Sequence, residues 1–593
     1  MKVLDRTVEV GPYPQIFGDT GAFKASLQKI EDTEDLLIYR LTLESKELAN
    51  LQPISIQWRM PDHNIKGVWT TNALQEKRIR ADWEYPSITS RLSVGAPVLC
   101  LFGHSDENVL TIACSDVLNT IELEAPVREE NSFVYCQLRF FTEKMPLTKY
   151  YETQIRIEKS PIYFSDAIRN VADWWASFDY LKPAPVPEAA KLPLYSTWYS
   201  YHQSISADAL LAECAASSKL GYKVIVVDDG WQTLDSSRGY DYTGDWEPER
   251  IPNMAEFVEG VHELGMKCML WYSVPFCGVK SKAYQLFKGK FLTEGHPWAP
   301  VFDPRYPEVR AYLVQKYASA LIDWKLDGFK LDFIDDFKAY PETVLTKENG
   351  RDYASVNQGV HQLLIDIRQA LEKINPEILI EFRQKYIGPG LRPFGNMFRA
   401  FDCPNDSVGN RMRTTDVKLL CGNTAVHSDM LTWHYEEKVE IAALQFTSIL
   451  FSVPQLSVRM AEIPEDHKNM IAFYTKYWLD NSAILLDGDF LPTSPLANYP
   501  ILSAESDNKI IFGVYENMIV EVNPDFQHID FINGKMNEQI AFEAMGNLGL
   551  CQVRIYDCQG NLDWESTEQF EEGIHALEVP TAGLIQLVKK ASI

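Results

Sequence analysis

The chain has 593 residues, more than one hydrophobic core supports, so about three domains are expected. With 46% hydrophobic and 23% charged residues and no low-complexity tract, the composition is that of a folded chain and excludes extended disorder. The formal net charge of -26 argues against nucleic acid, because phosphate binding needs clustered Lys and Arg; a neutral or cationic small molecule is the better-fitting partner.

The stretch from Met1 to Phe17 has no basic patch followed by an apolar run, and no run of about 18 apolar residues follows elsewhere. The expectation is a cytoplasmic protein without membrane contact. Ten cysteines, from Cys100 to Cys558, stand singly, without paired zinc spacing or the density of a disulfide scaffold, and read as buried free thiols. Carboxylates around Cys403 would raise its pKa, which argues against a nucleophilic role.

Residues 1–165 contain short alternating runs, such as Ile38 to Leu43 and Phe133 to Phe140, separated by turn formers, and read as a β-sandwich. The segment Lys182 to Pro187 (KPAPVP) is a linker, since proline removes donors and holds the chain extended. From there apolar strands alternate with amphipathic helices over 188–480. Strands are expected at Leu192–Trp198, Lys223–Val227, Cys268–Tyr272, Gly328–Asp332, Ile378–Phe382, Met397–Phe401, Thr424–His427 and Ile449–Val453, the eight a closed barrel needs. Alternation returns over 485–593, as in Ile510, Phe512 and Val514. The fold class is therefore α/β: a central (β/α)8 TIM barrel, an N-terminal β-sandwich and a small C-terminal antiparallel β-domain.

Such a barrel builds its site at the C-terminal ends of its strands. Asp228 and Asp229 follow the second strand, Asp332 ends the fourth, Glu381 and Arg383 end the fifth, and Asp402 follows the sixth. One such acid alone is as well explained as a helix cap. Several together fit glycoside hydrolysis, which needs two carboxylates facing one pocket. Trp198, Trp231 and Trp271 lie near these ends and offer apolar faces for a sugar ring. Arg383 fits either a clamp on a substrate hydroxyl or a pair with Glu381; His427 and Asp429 fit either substrate contact or a satisfied buried pair. Asp303 and Arg305 shape the loop before a helix. There is no zinc spacing, P-loop or dinucleotide fingerprint, so no metal or cofactor is expected.

The phrases VVDDGWQ (Val226 to Gln232), MKCMLW (Met266 to Trp271), FDPRYPEVRAY (Phe302 to Tyr312) and GFKLDF (Gly328 to Phe333) resemble glycoside hydrolase family 36, across roughly Leu192 to Leu456. The resemblance implies a retaining α-galactosidase or α-N-acetylgalactosaminidase acting on small oligosaccharides, in a chain that can form homo-oligomers. It implies Asp332 as nucleophile, Asp228 and Asp229 as acceptors for ring hydroxyls, Trp231 as a pocket wall, and Lys330 as a sugar contact that keeps Asp332 ionised. The sixth strand reads FRAFDCPND (Phe398 to Asp406) where many members have a Ser-Asp-Asp phrase; Asp402 is placed as the acid/base, its pKa raised by burial and nearby carboxylates. Asp406 comes second, with a further place among the substrate-binding residues, and Asp416 third. A family 31-like α-glucosidase, a galactosyl transferase and a non-catalytic sugar-binding protein are the competing readings.

Overall fold

Alternating runs with one apolar face bury it by pairing sheets. In the computed structural model, which describes residues 10–72, 76–84 and 87–590, two six-stranded sheets form the N-terminal part. The first nine residues, part of the stretch read for an export signal, lie outside the described residues. In one sheet Phe133–Phe140 runs antiparallel to Ile54–Pro61, with Leu138 opposite Ile56; in the other Thr148–Glu158 runs antiparallel to Leu36–Ala49. Their inner faces enclose Leu41, Ile56, Leu138 and Ile155, all fully buried. A helix, Phe164–Ala176, follows, and its Trp175 Nε1 donates to the Cys114 carbonyl at 2.8 Å, fastening it to the sandwich.

Eight parallel strands then form the barrel: β1 (Leu194–Ser196), β2 (Val224–Val227), β3 (Lys267–Ser273), β4 (Gly328–Asp332), β5 (Leu379–Arg383), β6 (Met397–Arg399), β7 (Ala425–His427) and β8 (Gln455–Leu456). β8 pairs with β1, and bridges from His427 to Val453 and from Leu431 to Leu456 close the ring. The eighth strand lies later than the expected Ile449–Val453. That run is apolar because it continues the buried end of the helix Val439–Thr447, and its carbonyls at Leu450 and Ser452 accept from Trp478 Nε1. The first strand is shorter than expected, and Trp198 instead opens a helical turn, Trp198–Tyr201.

Helices cover the connections after seven of the strands. Ser206 caps the helix Ala207–Ser217, its Oγ accepting from Ala209 N, and Pro307 sits in the first turn of Pro307–Trp324, where its missing N–H costs nothing. Between β5 and β6 the thirteen residues 384–396 form turns without a helix. Inside the barrel the side chains are layered. Leu194, Val224, Val226, Met269, Leu379, Met397 and Ala425 form an apolar lower layer, with Ala189 and Ala190 packed against it. One step further along each strand the inward positions turn polar: Lys330 is in register with Glu381, and Arg399 with His427.

The C-terminal part holds a seven-stranded and a three-stranded sheet. They are antiparallel apart from two parallel pairs, Lys509–Val514 with His528–Asn533 and Ile519–Val522 with Gln539–Ala544. Asp416, on the helix Ser407–Leu420, ties the three parts together: it accepts from Trp69 Nε1 at 2.8 Å and Lys77 Nζ at 3.0 Å of the sandwich and from Tyr499 of the C-terminal part. That assignment removes Asp416 from the candidate acids. Among the described residues no helix is long and apolar enough to cross a membrane.

Candidate active site

The polar end of the barrel brings Asp228, Lys330, Asp332, Arg383 and Asp402 together around one centre. Asp332 ends β4 and is 6% exposed. Its Oδ1 accepts from Arg383 Nε at 2.7 Å, Tyr386 Oη at 2.8 Å and Phe333 N at 2.7 Å, while Oδ2 accepts from Trp271 Nε1 at 2.9 Å. Burial alone would raise its pKa; the charges of Arg383 and Lys330, with the Trp271 and Tyr386 hydrogen bonds, outweigh it and hold the carboxyl well below the usual range. Arg383 therefore pairs with Asp332, not with Glu381, and packs its guanidinium over Phe333 and Phe401, each 5.2 Å away.

Lys330 Nζ donates to Asp228 Oδ2 at 2.6 Å, so its effect on Asp332 is that of a neighbouring charge. Asp229 accepts from Gln232 Nε2 at 2.6 Å and Gln203 Nε2 at 2.7 Å. Burial, and then the adjacent Asp228 charge, push it up to about 6 against those hydrogen bonds.

The sixth strand is organised by Arg399, 1% exposed. Its Nη2 donates to Asp402 Oδ1 at 2.8 Å and its Nη1 to Asp429, while Glu381 Oε1 lies 3.6 Å from Nε. Asp402 is 41% exposed at its side chain. Burial acts to raise its pKa, but Arg399, Arg383 and Lys330 together lower it, the opposite of the expected elevation. The expectation counted neighbouring carboxylates and missed the cations that neutralise them. The carboxyl beside Asp332 that burial does raise is Asp335, whose buried Oδ1 has no hydrogen-bond partner.

Several candidates take other places. Asp406 is exposed and caps the helix Ser407–Leu420, its Oδ1 accepting from Gly409 N at 2.8 Å, which removes it from the site. Trp231 is fully buried among Trp246, Tyr272 and Trp324 and donates to the Trp271 carbonyl, so it supports the pocket from behind and offers no face to a sugar. Trp271 presents its indole N–H to Asp332 and stacks on Tyr240, 6.1 Å away. Trp198 is partly exposed, edge-on to His202 and 5.1 Å from the Arg238 guanidinium. His427 is a satisfied buried histidine: its Nε2 meets the Ala190 carbonyl at 2.8 Å, and burial lowers its pKa to about 4. Asp429 is equally enclosed by Arg399, Tyr199 and the Cys403 N–H. Arg305 and Asp303 pair at 2.7 Å in the loop before Pro307. Cys403 is buried and its thiol pushed up, first by burial.

Three residues of the site escaped the sequence reading. Tyr386 lies three residues past β5, inside the helix-less connection; its position at a strand end was a usable signal. Arg399 stood within the quoted FRAFDCPND phrase without a role. Tyr240 sits 13 residues beyond β2 in a loop with no pattern, yet its ring packs on Trp271 and Phe333, the two residues that donate to Asp332 alongside Arg383 and Tyr386; burial, and then the charges of Asp229, Asp332 and Asp228, push its phenol up. No group of three or more His, Cys, Asp and Glu residues among those described is placed to hold a metal ion.

Residues 185–478 match the model of the glycosyl hydrolases family 31 TIM-barrel domain, so the barrel is of the glycoside hydrolase type. The whole-chain fold is similar to that of solved α-galactosidases. The chain superposes on the family 36 α-galactosidase AgaA from Geobacillus stearothermophilus with a TM-score of 0.64 at 13% identity, covering 95% of this chain and 81% of that one. It superposes on the α-galactosidase from Lactobacillus brevis with a TM-score of 0.62 at 12% identity, covering 98% and 86%. In sequence it is 26% identical over 182 residues to the A type blood α-D-galactosamine galactosaminidase of Flavonifractor plautii, 26% of this chain and 16% of that protein. It is 25% identical over 201 residues to the α-galactosidase Mel36A of Lactobacillus acidophilus, 32% of this chain and 26% of that protein. The chain thus aligns with about a sixth to a quarter of the length of these curated relatives.

Arg399 holds two buried carboxylates, Glu381 and Asp429, and the half-exposed Asp402, and removing it leaves uncompensated buried charge. Arg399→Met is expected to lower unfolding stability by about 3–5 kcal/mol at neutral pH. Urea denaturation checks this; a loss under about 1 kcal/mol would mean that the carboxylates do not depend on it.

Proposed function

We propose that the protein is a retaining α-galactosidase that releases terminal α-D-galactosyl residues from small oligosaccharides. The observation that carries this reading is the state of Asp332: buried, at a strand end, and held as an anion by Arg383 and Tyr386. Three donors occupy Oδ1 while Oδ2 takes only the Trp271 indole, which leaves Oδ2 the less stabilised and more nucleophilic oxygen. Oδ2 attacks the anomeric carbon as the glycosidic C–O bond breaks, and Asp402 gives its proton to the departing oxygen. In the second half Asp402 takes a proton from water, whose oxygen displaces Asp332 and restores the original configuration. Asp228, aligned by Lys330, accepts a ring hydroxyl, and Tyr240, stacked on Trp271, lies next to it. The relatives' names support a galactosyl-type sugar; the match of the barrel to family 31 favours one second reading, an α-glucosidase of the same mechanism.

Hydrolysis of nitrophenyl α-galactoside followed by NMR is expected to release the α anomer first, with activity lost in Asp332→Ala. First release of the β anomer would overturn retention, and turnover of the α-glucoside alone would change the sugar. Asp402→Asn is expected to slow hydrolysis of oligosaccharides by about 10²–10⁴-fold while sparing the first step with α-galactosyl fluoride, glycosyl-enzyme formation with release of fluoride, because that leaving group needs no proton. Were oligosaccharide hydrolysis unaffected, the acid would be Asp335, the carboxyl that burial raises.

The low pKa of Asp402 sets the pH dependence. A general acid works only below its pKa, so in the free protein the basic limb of kcat/KM falls on the acid side of neutrality. Substrate covering the half-exposed carboxyl withdraws water, which disfavours the charged form and raises the pKa. The basic limb of kcat, which reports the complex, is expected at higher pH than that of kcat/KM; coincident limbs would contradict this.

A further inference from the structure

Lys330 and Arg383 are each paired with one carboxylate of the polar layer, whereas Arg399 meets three. One positive charge does not neutralise three negative ones, so a proton is favoured within this group. The mechanism above gives no part to Asp429, the fully buried member two residues past β7. Its Oδ1 accepts from Arg399 Nη1, and its Oδ2 accepts from Cys403 N at 2.6 Å and Tyr199 Oη at 2.9 Å. Asn410 clamps the backbone beneath it, donating from Nδ2 to the Asp429 carbonyl at 3.1 Å and accepting at Oδ1 from Asp429 N at 2.9 Å. A carboxyl surrounded by three donors is suited as the anion.

The other amino group of the same guanidinium, Nη2, donates to Asp402 Oδ1 at 2.8 Å. Asp402 and Asp429 therefore divide one cation between them. Burial raises the Asp429 pKa, Arg399 lowers it, and the Asp402 charge raises it again; Coulomb's law makes that last effect mutual. The remaining charges that face the pair come from several elements. Lys330 on β4 and Arg383 on β5 join Arg399 in lowering the Asp402 pKa, and Arg413 on the helix Ser407–Leu420 donates to the Asp402 carbonyl at 2.6 Å. Glu381 on β5 lies 3.6 Å from Arg399 Nε. His427 on β7, in register with Arg399, is lowered by burial to about 4 and is neutral at pH 7. Asp406 is exposed at the head of its helix, and the Cys403 thiol is pushed up by burial, so neither adds buried charge near neutrality. Asp429 is thus the anion that competes with Asp402 for the guanidinium on which Asp402 depends.

We propose that Asp429 is a positioning residue for the acid/base step: by holding one amino group of Arg399, and by its own charge, it favours the protonated form of Asp402. The inference rests on the glycosidase reading with Asp402 as the acid. In it, Tyr199 and the Cys403 N–H keep Asp429 ionised, and Asp429 in turn keeps the three cations from stripping Asp402 of the proton that the leaving oxygen needs. The same charge makes Asp402 the stronger base when it takes a proton from water.

The test is the pH profile of kcat/KM on an α-galactosyl disaccharide in the full-length protein. Asp429→Asn removes the charge with little change of shape, which favours ionised Asp402 and lowers its pKa. The basic limb is expected to move to lower pH by about one unit, a loss of about tenfold at any pH above it. Tyr199→Phe removes one donor to Asp429, makes that anion easier to protonate, and is expected to move the limb the same way by less. With α-galactosyl fluoride, kcat/KM reports a step without proton donation, so no such shift is expected. A limb that stays in place while activity falls equally at every pH, or one that moves to higher pH, would overturn the proposal. Should Asp429→Asn fail to fold, Tyr199→Phe decides in its place. A wild-type protein inert towards α-galactosyl fluoride, or disaccharide hydrolysis unaffected by Asp402→Asn, would instead overturn the glycosidase reading or its acid, and this inference with it.

Discussion

Charges buried in a closed barrel are poorly screened by water, so each is stabilised by an opposite charge within the same layer. That constraint organises the upper half of this barrel. Lys330 answers Asp228, Arg383 answers Asp332, and Arg399 answers Glu381, Asp402 and Asp429 together. Such pairing stabilises little relative to an apolar core, because desolvation offsets most of the Coulomb gain. What it fixes is geometry and protonation: Asp332 stays an anion in a place where burial alone would protonate it.

The division between the apolar lower layer and the charged upper layer follows from strand periodicity. Residues two apart share a face, so Met269 and Trp271 on β3, or Leu379, Glu381 and Arg383 on β5, climb from hydrophobic packing to chemistry along one line. The aromatic groups carry that order outward. Trp231 is packed behind the pocket and holds the Trp271 backbone, and Trp271 aims its indole N–H at Asp332. The proposed nucleophile is thus positioned by a chain of contacts that begins in the core.

Much of this order is legible in the sequence. Runs such as Val224–Val227, apolar throughout, are what a parallel strand covered on both faces requires, and an acid immediately after such a run falls at the open end of the barrel. The eighth strand was displaced because a buried helix end and a buried strand are both simply apolar over five residues. Asp406 illustrates the other limit: an acid three residues before a glycine N–H is a cap, and only the helix start distinguishes it from a site residue. The pKa of Asp402 was misjudged for a spatial reason. Arg399 is close in sequence, but Arg383 and Lys330 come from other strands, and their convergence on one carboxyl is a property of barrel closure.

The most direct test of the central claim is to incubate the protein with a galactosyl fluoride bearing a second fluorine at C5 and to map the labelled peptide by mass spectrometry. The extra fluorine destabilises the oxocarbenium-like transition states of both steps, while the fluoride leaving group preserves the first, so a covalent intermediate accumulates. The account predicts a glycosyl ester on Asp332, with loss of activity in step with labelling. A label on another carboxylate, or rapid hydrolysis of ordinary galactosides with no label at all, would contradict it.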